Sequence, residues 1–549
     1  MMNPAYYRVR LLVDLFQSVG MPVLALSNTL AFFQYRLGHL AIPSYLGIVL
    51  LWAVLRTLYT EHKQKREAKA LGARPIPRVI GKWPGNIDVL LKMMRAFKTS
   101  YVLDVYLQLF EEYQCTTLNT RILWRDTHRN IARPFLARER FLDFEIFEKF
   151  TSSTMSLLSS LESSNTPFDA QDIFSRFTID AASEFLFGKN LDTLSGSLPV
   201  AGQTKMGPKG SATEDTWGSF AYAFEMAQVN ITIRARLGSI WPLFELFKDR
   251  NKEACDVIRK WVDPLVQQAL NDKRQMQESG IEHKIEEKTF MQHLAETTND
   301  AITIRDQLLN MLLASRDTTA CVLTYILYFM AIRPDIMARM RSEVFQTCGP
   351  SSAPTSEDIK QMKYMRAVIN EAMRLFPPVP LNVREAREQP VVLPQSDGTY
   401  DYQEKGTSSA EPLYIPARTT IMYFPLLIQR NPALWGDDAD EFDPERWIDP
   451  ARLGRYLSNP TIFTPFSAGP RICLGQNYAY NQMSYFLTRL LQQFERVTLE
   501  SEYQPEGSLP PPEWKSRKGR QSVEKIWPAG AMTLYVKGGL WVRLHKSKQ

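Results

Sequence analysis

Residues 466–475 read Phe-Ser-Ala-Gly-Pro-Arg-Ile-Cys-Leu-Gly, and everything else in the chain is best read outward from this loop. Gly469 and Gly475 permit tight turns and a close approach of backbone to a flat ligand. The loop sets Cys473 two residues after Arg471 and just ahead of the helix-like run Asn477 to Phe494. A thiolate near a helix amino terminus and beside a guanidinium is stabilised as an anion and can coordinate iron. Taken singly, such a cysteine is more often buried and inert.

Upstream, Asp306 to Ile332 is an apolar run long enough for about 40 Å of helix. Its middle carries Ala314-Ser315-Arg316-Asp317-Thr318-Thr319, an acid and two hydroxyls in otherwise greasy surroundings. A threonine inside a helix can donate its hydroxyl to the carbonyl four residues back, here Ala314 for Thr318, which loosens and bends the helix. In Glu371-Ala372-Met373-Arg374, three-residue spacing puts a carboxylate and a guanidinium on one helix face, and Pro377 and Pro378 close that helix at once.

These runs, in this order, resemble the cytochrome P450 family from Arg78 onward. The Phe466–Gly475 loop is similar to its heme-binding signature, and the resemblance implies heme b with Cys473 as the axial thiolate ligand of the iron. Phe466 and Gly469 belong to the same cofactor-binding loop. Residues 314–319 resemble the oxygen-binding groove, with Thr318 the hydrogen bonder on the dioxygen side and Asp317 feeding protons; Ser315 stands where a glycine is usual. Asp443-Pro444-Glu445-Arg446-Trp447 supplies the second arginine of a structural triad, Glu371, Arg374 and Arg446, that holds the thiolate loop. Arg384 and Arg471 match arginines that pair with heme propionates. Phe168 to Gly188, residues 316–319 and Asp440 to Trp447 look like the fungal branch that includes alkane and fatty-acid hydroxylases.

One departure stands out. Asn119 to Thr127 looks like an early strand and His128 to Phe135 like the helix that crosses one heme face, yet the two abut. Relatives hold a few dozen residues between them, including part of the substrate lid and the tryptophan of a Trp-x-x-x-Arg motif. Trp124 lies five residues before Arg129 and belongs to the strand-like run, so that tryptophan's role is not transferred to it. Arg129 keeps the place of a propionate partner. The missing segment bears on heme retention and substrate selectivity, and a skipped exon would produce such a junction.

The chain has 549 residues, 44% hydrophobic and 23% charged, which excludes a disordered tail or a small disulfide scaffold. A net charge of +6 from 65 basic and 59 acidic residues is too thin for nucleic-acid binding as the main business. Five scattered cysteines without a C-x-x-C argue against both a disulfide framework and structural zinc. No Walker loop and no G-x-G-x-x-G is present, so electrons are expected from another protein.

Leu37 to Leu55 carries no formal charge and is just long enough to span a bilayer. The basic flank Lys63, Lys65, Arg66, Lys69, Arg74 and Arg78 follows it and is expected to stay cytoplasmic. Leu11 to Phe33 is apolar but interrupted by Asp14, Gln17, Pro22 and Asn28, and reads equally as a second span, an interfacial helix or a signal-like segment. Four regions result: residues 1–36 as an apolar amino-terminal segment, 37–60 as a membrane anchor helix, 61–77 as a basic, proline-containing hinge, and 78–549 as one catalytic domain. Leu191 to Thr216 and Ser501 to Gly530, rich in Gly, Pro and polar residues, read as surface loops or disordered insertions. The expected fold is mainly α with small β sheets.

The resemblance implies a membrane-bound monooxygenase that hydroxylates a fatty acid, alkane, terpenoid or aromatic xenobiotic with O2, in secondary metabolism or xenobiotic oxidation. NADPH-cytochrome P450 reductase at the endoplasmic reticulum membrane would supply electrons, with the catalytic domain in the cytosol and membrane lipid as its surroundings. Two rivals remain: a heme-thiolate isomerase or dehydratase, and a non-catalytic product of a gene with an internal deletion.

Overall fold

The computed structural model describes residues 4–113, 115, 117–122, 128–130, 144–211, 216–238, 241–279, 289–393 and 412–546. It is mainly α-helical with four small sheets among the described residues. The organising element is the helix Ala301–Ile332. Asp300 caps it, accepting from the Ile302 N–H, and it stops at Arg333 because the following Pro334 drives the preceding residue out of the helical region. Its first half buries a stripe of Ile304, Leu308 and Leu312. From Thr319 to Met330 it is buried on all sides, as an all-apolar helix must be.

This helix packs on Ala170–Phe187, which begins at an Asp169 cap and ends at Gly188 in the left-handed region (φ 67°). It also packs on Lys363–Leu375, which ends at Phe376 just before Pro377. Stacked rings fix the seam: Tyr325 lies 4.1 Å from Phe376 and Phe329 lies 3.6 Å from Phe442, centroid to centroid.

The strands Val391–Leu393 and Leu413–Ile415 pair antiparallel, and Arg74–Pro75 adds in parallel to Leu413–Ile415. Near the carboxyl end lie the strands Leu534–Val536 and Trp541–Lys546. In the four-stranded sheet the order is Thr117–Asn119, His128–Asn130, Thr420–Tyr423, Asn382–Glu385. His128–Asn130 is therefore strand, where a helix was expected. It runs antiparallel to Thr117–Asn119 and parallel to Thr420–Tyr423. With so short a connection the returning chain fills the open edge of Thr420–Tyr423 and satisfies its ladder groups. The rest of the expected crossing helix, residues 131–135, and the Arg129 side chain lie outside what is described.

At the amino terminus, Tyr7–Phe32 and Gly38–Ala70 are both long and apolar enough to cross a membrane. They pack as a hairpin: Ser27 Oγ and Tyr45 Oη are 2.9 Å apart, and Trp52 Nε1 donates to the Gln17 carbonyl at 3.1 Å. Leu46, Leu50, Leu51, Val54 and Leu55 point outward, unburied. The second helix continues through 61–70 onto the catalytic domain, where Glu61 pairs with Arg78 and Arg121 and Tyr414 donates to Glu67. The first helix starts there too, with Tyr7 Oη donating to the Glu245 carbonyl and its ring against Trp241.

Candidate active site

The loop 466–475 is held from within and without. Cys473 N–H donates to the Phe466 carbonyl at 2.9 Å, closing the loop on itself. Gly469 has φ 72°, a conformation that an L side chain rarely adopts. Ser467, without that freedom, sits at φ 62° and is fixed by its partners: Arg384 Nη2 donates to its Oγ at 2.9 Å, and Tyr423 Oη lies 3.2 Å from it. The helix Gln476–Gln493 begins three residues after Cys473.

Cys473 and Leu474 are exposed although the loop around them is well packed. Burial of its surroundings pushes the Cys473 thiol up, and the Gly475 N–H directed at the sulfur draws it partly back. The stabilising influence expected from Arg471 is not among these causes; Arg471 points to solvent. Arg384 and Arg471 line one open cavity of about 1310 Å³ together with Arg387, Arg418, Glu385, Glu388 and, from the first amino-terminal helix, Val9 and Asp14; Cys473 and Thr318 are not part of its lining.

On the long helix, Ala314 is exposed and Thr318 half-buried, so these two, four residues apart, continue toward its middle the open strip that Thr303, Gln307 and Asn310 form in its first half. Thr318 Oγ1 donates to the Ala314 carbonyl at 2.6 Å, the back-bond its position invites. Ser315 does the same to Met311 at 2.8 Å. Asp317 faces the buried side. Its Oδ2 takes a hydrogen bond from Lys209 Nζ at 2.8 Å and its Oδ1 one from Arg316 Nη1 at 3.0 Å. Burial works to raise this carboxyl, but the two cations outweigh it and hold Asp317 below the usual carboxylate range.

Glu371, Arg374 and Arg446 come together at the end of Lys363–Leu375, all buried. Arg374 grips Glu371 in a two-pronged pair, both contacts 2.8 Å, and donates to the carbonyls of Ala439 and Glu441. Arg446 Nε lies 3.5 Å from Glu371 Oε1, while its other nitrogens go to Asp438 and the Trp435 carbonyl. Trp447 Nε1 donates to Glu371 Oε2 at 2.9 Å, completing the shell.

Sequence reasoning did not anticipate Lys209, Glu225 and Gln228 around Asp317, nor Ser467 and Tyr423 beneath Arg384. Trp447 could have been found, since it directly follows Arg446 in the quoted segment. Lys209 carries no such signal. It sits in a stretch that reads as solvated loop, yet only 5% of it is exposed.

The residues suit a flat, iron-bearing, dianionic cofactor. Among the described residues one exposed thiol stands on a glycine-turned loop, and Arg384, tied to that loop through Ser467, and Arg471 offer cationic partners for an anionic edge. Fold and loop together define a heme-thiolate oxidoreductase. The sequence profile described as Cytochrome P450 matches residues 88–515. Cytochrome P450 52E2 of Candida apicola is 34% identical over 376 residues, covering 68% of this chain and 67% of its own. Cytochrome P450 52A5 of Candida maltosa is 34% identical over 391 residues, 70% of this chain and 68% of its own. A cytochrome P450 of Arthroderma benhamiae is 29% identical over 484 residues, 82% of this chain and 90% of its own. The chain belongs to the cytochrome P450 family. It is thus a monooxygenase whose cofactor is heme b with an axial cysteine thiolate, and its relatives here are fungal.

Proposed function

We propose that this chain hydroxylates a long-chain apolar substrate, a fatty acid or alkane before a terpenoid or aromatic xenobiotic, at the endoplasmic reticulum membrane. Heme b, when bound, supplies oxygen activation, with the thiolate's electron push favouring cleavage of the oxygen bond. Cys473 is its axial ligand; Arg384 and Arg471 hold its propionates; Phe466 and Gly469 form the loop against it. Thr318 orients a proton toward the oxygen side and Asp317 replenishes it. Glu371, Arg374 and Arg446 keep the segment at residues 435–447, and through it the cysteine loop, in place.

The observation that carries this reading is the accessible Cys473 thiol on a loop tied by Ser467 to Arg384. The amino-terminal hairpin supports two membrane spans with the domain of residues 78–549 on the cytosolic side, where NADPH-cytochrome P450 reductase would meet it. Entry of substrate from the bilayer follows from that placement. The test is product formation from a radiolabelled long-chain fatty acid, with and without NADPH and reductase. Oxygen-, NADPH- and reductase-dependent hydroxylation is expected. Product formed equally without them would point instead to an isomerase or dehydratase.

A further inference from the structure

Residues 438–441 form a turn outside any helix or strand, and a carbonyl buried there without a donor is costly. Four carbonyls in succession are each met by an arginine. Asp438 O accepts from Arg446 Nη2 at 3.0 Å, Ala439 O from Arg374 Nη1 at 2.6 Å, Asp440 O from Arg520 Nη1 at 2.7 Å and Glu441 O from Arg374 Nη2 at 2.9 Å. Arg374 and Arg446 belong to the triad with Glu371. Arg520 does not: it comes from 501–530, the stretch whose composition reads as surface loop.

Gly519 turns the chain toward this site with φ 68°, and it lies so close that a Cβ on it would stand 2.8 Å from Asp440 Oδ2. Arg520 is only 7% exposed. Its Nε donates to Glu524 Oε1 at 2.6 Å, and its guanidinium lies 5.2 Å from the centre of the Phe329 ring. Burial works to discharge Arg520, and the Glu524 carboxylate overrides it and keeps the guanidinium charged. Glu524 Oε2 in turn accepts from Tyr328 Oη at 2.8 Å, and that hydroxyl oxygen accepts the Lys525 N–H at 3.0 Å. Tyr328 lies on the long helix, so Tyr328, Glu524, Arg520 and Asp440 form one continuous hydrogen-bonded line from that helix to the turn.

The turn in turn bears on the cysteine loop. Trp435 and Trp447, on either side of it, pack on Phe463 with ring centres 6.5 and 4.5 Å away. Thr464 N–H donates to Gln429 Oε1 at 3.1 Å, and the Gln429 carbonyl shares Arg374 Nη1 with Ala439. Phe463 and Thr464 lead directly to Phe466, whose carbonyl takes the Cys473 N–H.

We propose that Arg520 is a positioning residue for Cys473: as the third arginine of the 438–441 turn it couples the long helix to the segment 435–447, and the 501–530 stretch thereby serves as a strut for the thiolate loop. The coupling to 435–447 stands on the hydrogen bonds alone; its consequence for the thiolate rests on the reading of Cys473 as axial ligand. An arginine is required because Nε holds Glu524 while Nη1 reaches Asp440, a fork that a lysine ammonium on a flexible stem does not reproduce.

The experiment is amide hydrogen exchange on the full chain, for wild type, Arg520→Met, Arg520→Lys, Tyr328→Phe and Arg176→Met. Arg176 is the matched case. It too is buried, pairs at 2.7 Å with an acid four residues away, Asp172, and donates to two carbonyls, but those belong to Thr193 and Ser197. Arg520→Met should speed exchange in 435–447 and 463–475 about tenfold or more, since a buried bond from a charged donor is lost there. Arg520→Lys should do so to a lesser degree, and Tyr328→Phe, which cuts the line at its far end, least of the three. Arg176→Met should speed exchange around 193–197 and leave 435–447 as in wild type. An increase in Arg520→Met confined to 512–526, or spread evenly over the chain, overturns the strut.

The second readout is the carbon monoxide difference spectrum normalised to heme, taken for both methionine variants at the same interval below their unfolding midpoints. Arg520→Met should lose the red-shifted band of the thiolate form several-fold relative to Arg176→Met. Equal bands in the two variants would overturn the role toward Cys473 even where the exchange pattern holds. A wild type without that band would contradict the reading of Cys473 instead, and the exchange pattern would still decide the strut.

Discussion

Arg384 donates from Nη2 to the Oγ of Ser467 across 2.9 Å, and this bond ties the strand Asn382–Glu385 to the loop that carries Cys473. The same guanidinium lies 5.4 Å from the centre of the Tyr423 ring and donates to Asn382 Oδ1 and the Val383 carbonyl. A side chain so fully engaged is preorganised, and it can meet an anionic cofactor edge without losing further rotamer freedom.

Arg384→Ala should accelerate heme loss about tenfold or more, because a charge-assisted contact is worth about 1.5–3 kcal/mol. Ser467→Ala, which removes only the anchor, should accelerate it by a smaller factor. Transfer of heme to excess apomyoglobin gives both rates. Equal rates in wild type and Arg384→Ala would remove Arg384 from the cofactor edge.

The cysteine loop, the long helix and the Glu371–Arg374 pair were legible in the sequence because each is local: a glycine pattern, an apolar run, a three-residue spacing closed by prolines. The end of Lys363–Leu375 was legible for the same reason, Pro377 stopping it where a proline must. What was illegible is contact at long range. Nothing in 191–211 announces that Lys209 reaches a residue 108 positions later, since a lysine in a polar loop has no periodicity to betray burial. His128–Asn130 was expected as helix from its resemblance to the family's heme-crossing segment, and is strand, paired with Thr420–Tyr423. The insertion 501–530 likewise hides an anchor, for Arg520 is buried, bonds Glu524 at 2.6 Å and donates to the Asp440 carbonyl.

Thr318→Ala should leave NADPH consumption in place while hydrogen peroxide replaces hydroxylated product. The Thr318 hydroxyl, now on the Ala314 carbonyl, is the proton donor nearest the open strip. Peroxide yield per NADPH measures it. An unchanged ratio of product to peroxide would exclude Thr318 from proton delivery.

Both feet of the amino-terminal hairpin rest on the catalytic domain, Tyr7 on Glu245 and Glu61 on Arg78. A reporter placed after Lys69 and one placed before the first helix should therefore both be accessible to protease in sealed microsomes. Removing residues 1–60 should weaken membrane attachment without altering the heme spectrum. Protection of the catalytic domain would contradict this topology.

His128–Asn130, where a heme-crossing helix was expected to begin, is strand. The cleft on that side should admit water and retain heme weakly. The ratio of heme to protein in the chain as written should be well below one and should rise when the segment between Thr127 and His128 is supplied from a close relative. A fully loaded, coupled enzyme made from the unaltered chain would show that the cleft is closed by other means.

The assignment of Cys473 as the axial ligand underlies all of this, and the carbon monoxide difference spectrum of the reduced protein, normalised to heme, tests it most directly. In the chain as written and in its repaired form, the red-shifted Soret band of a thiolate-ligated heme should vanish in Cys473→Ala and Cys473→His and persist when Cys115, Cys255, Cys321 and Cys348 are replaced together. A full-strength band surviving the loss of Cys473, or lost with the other four, would contradict the assignment.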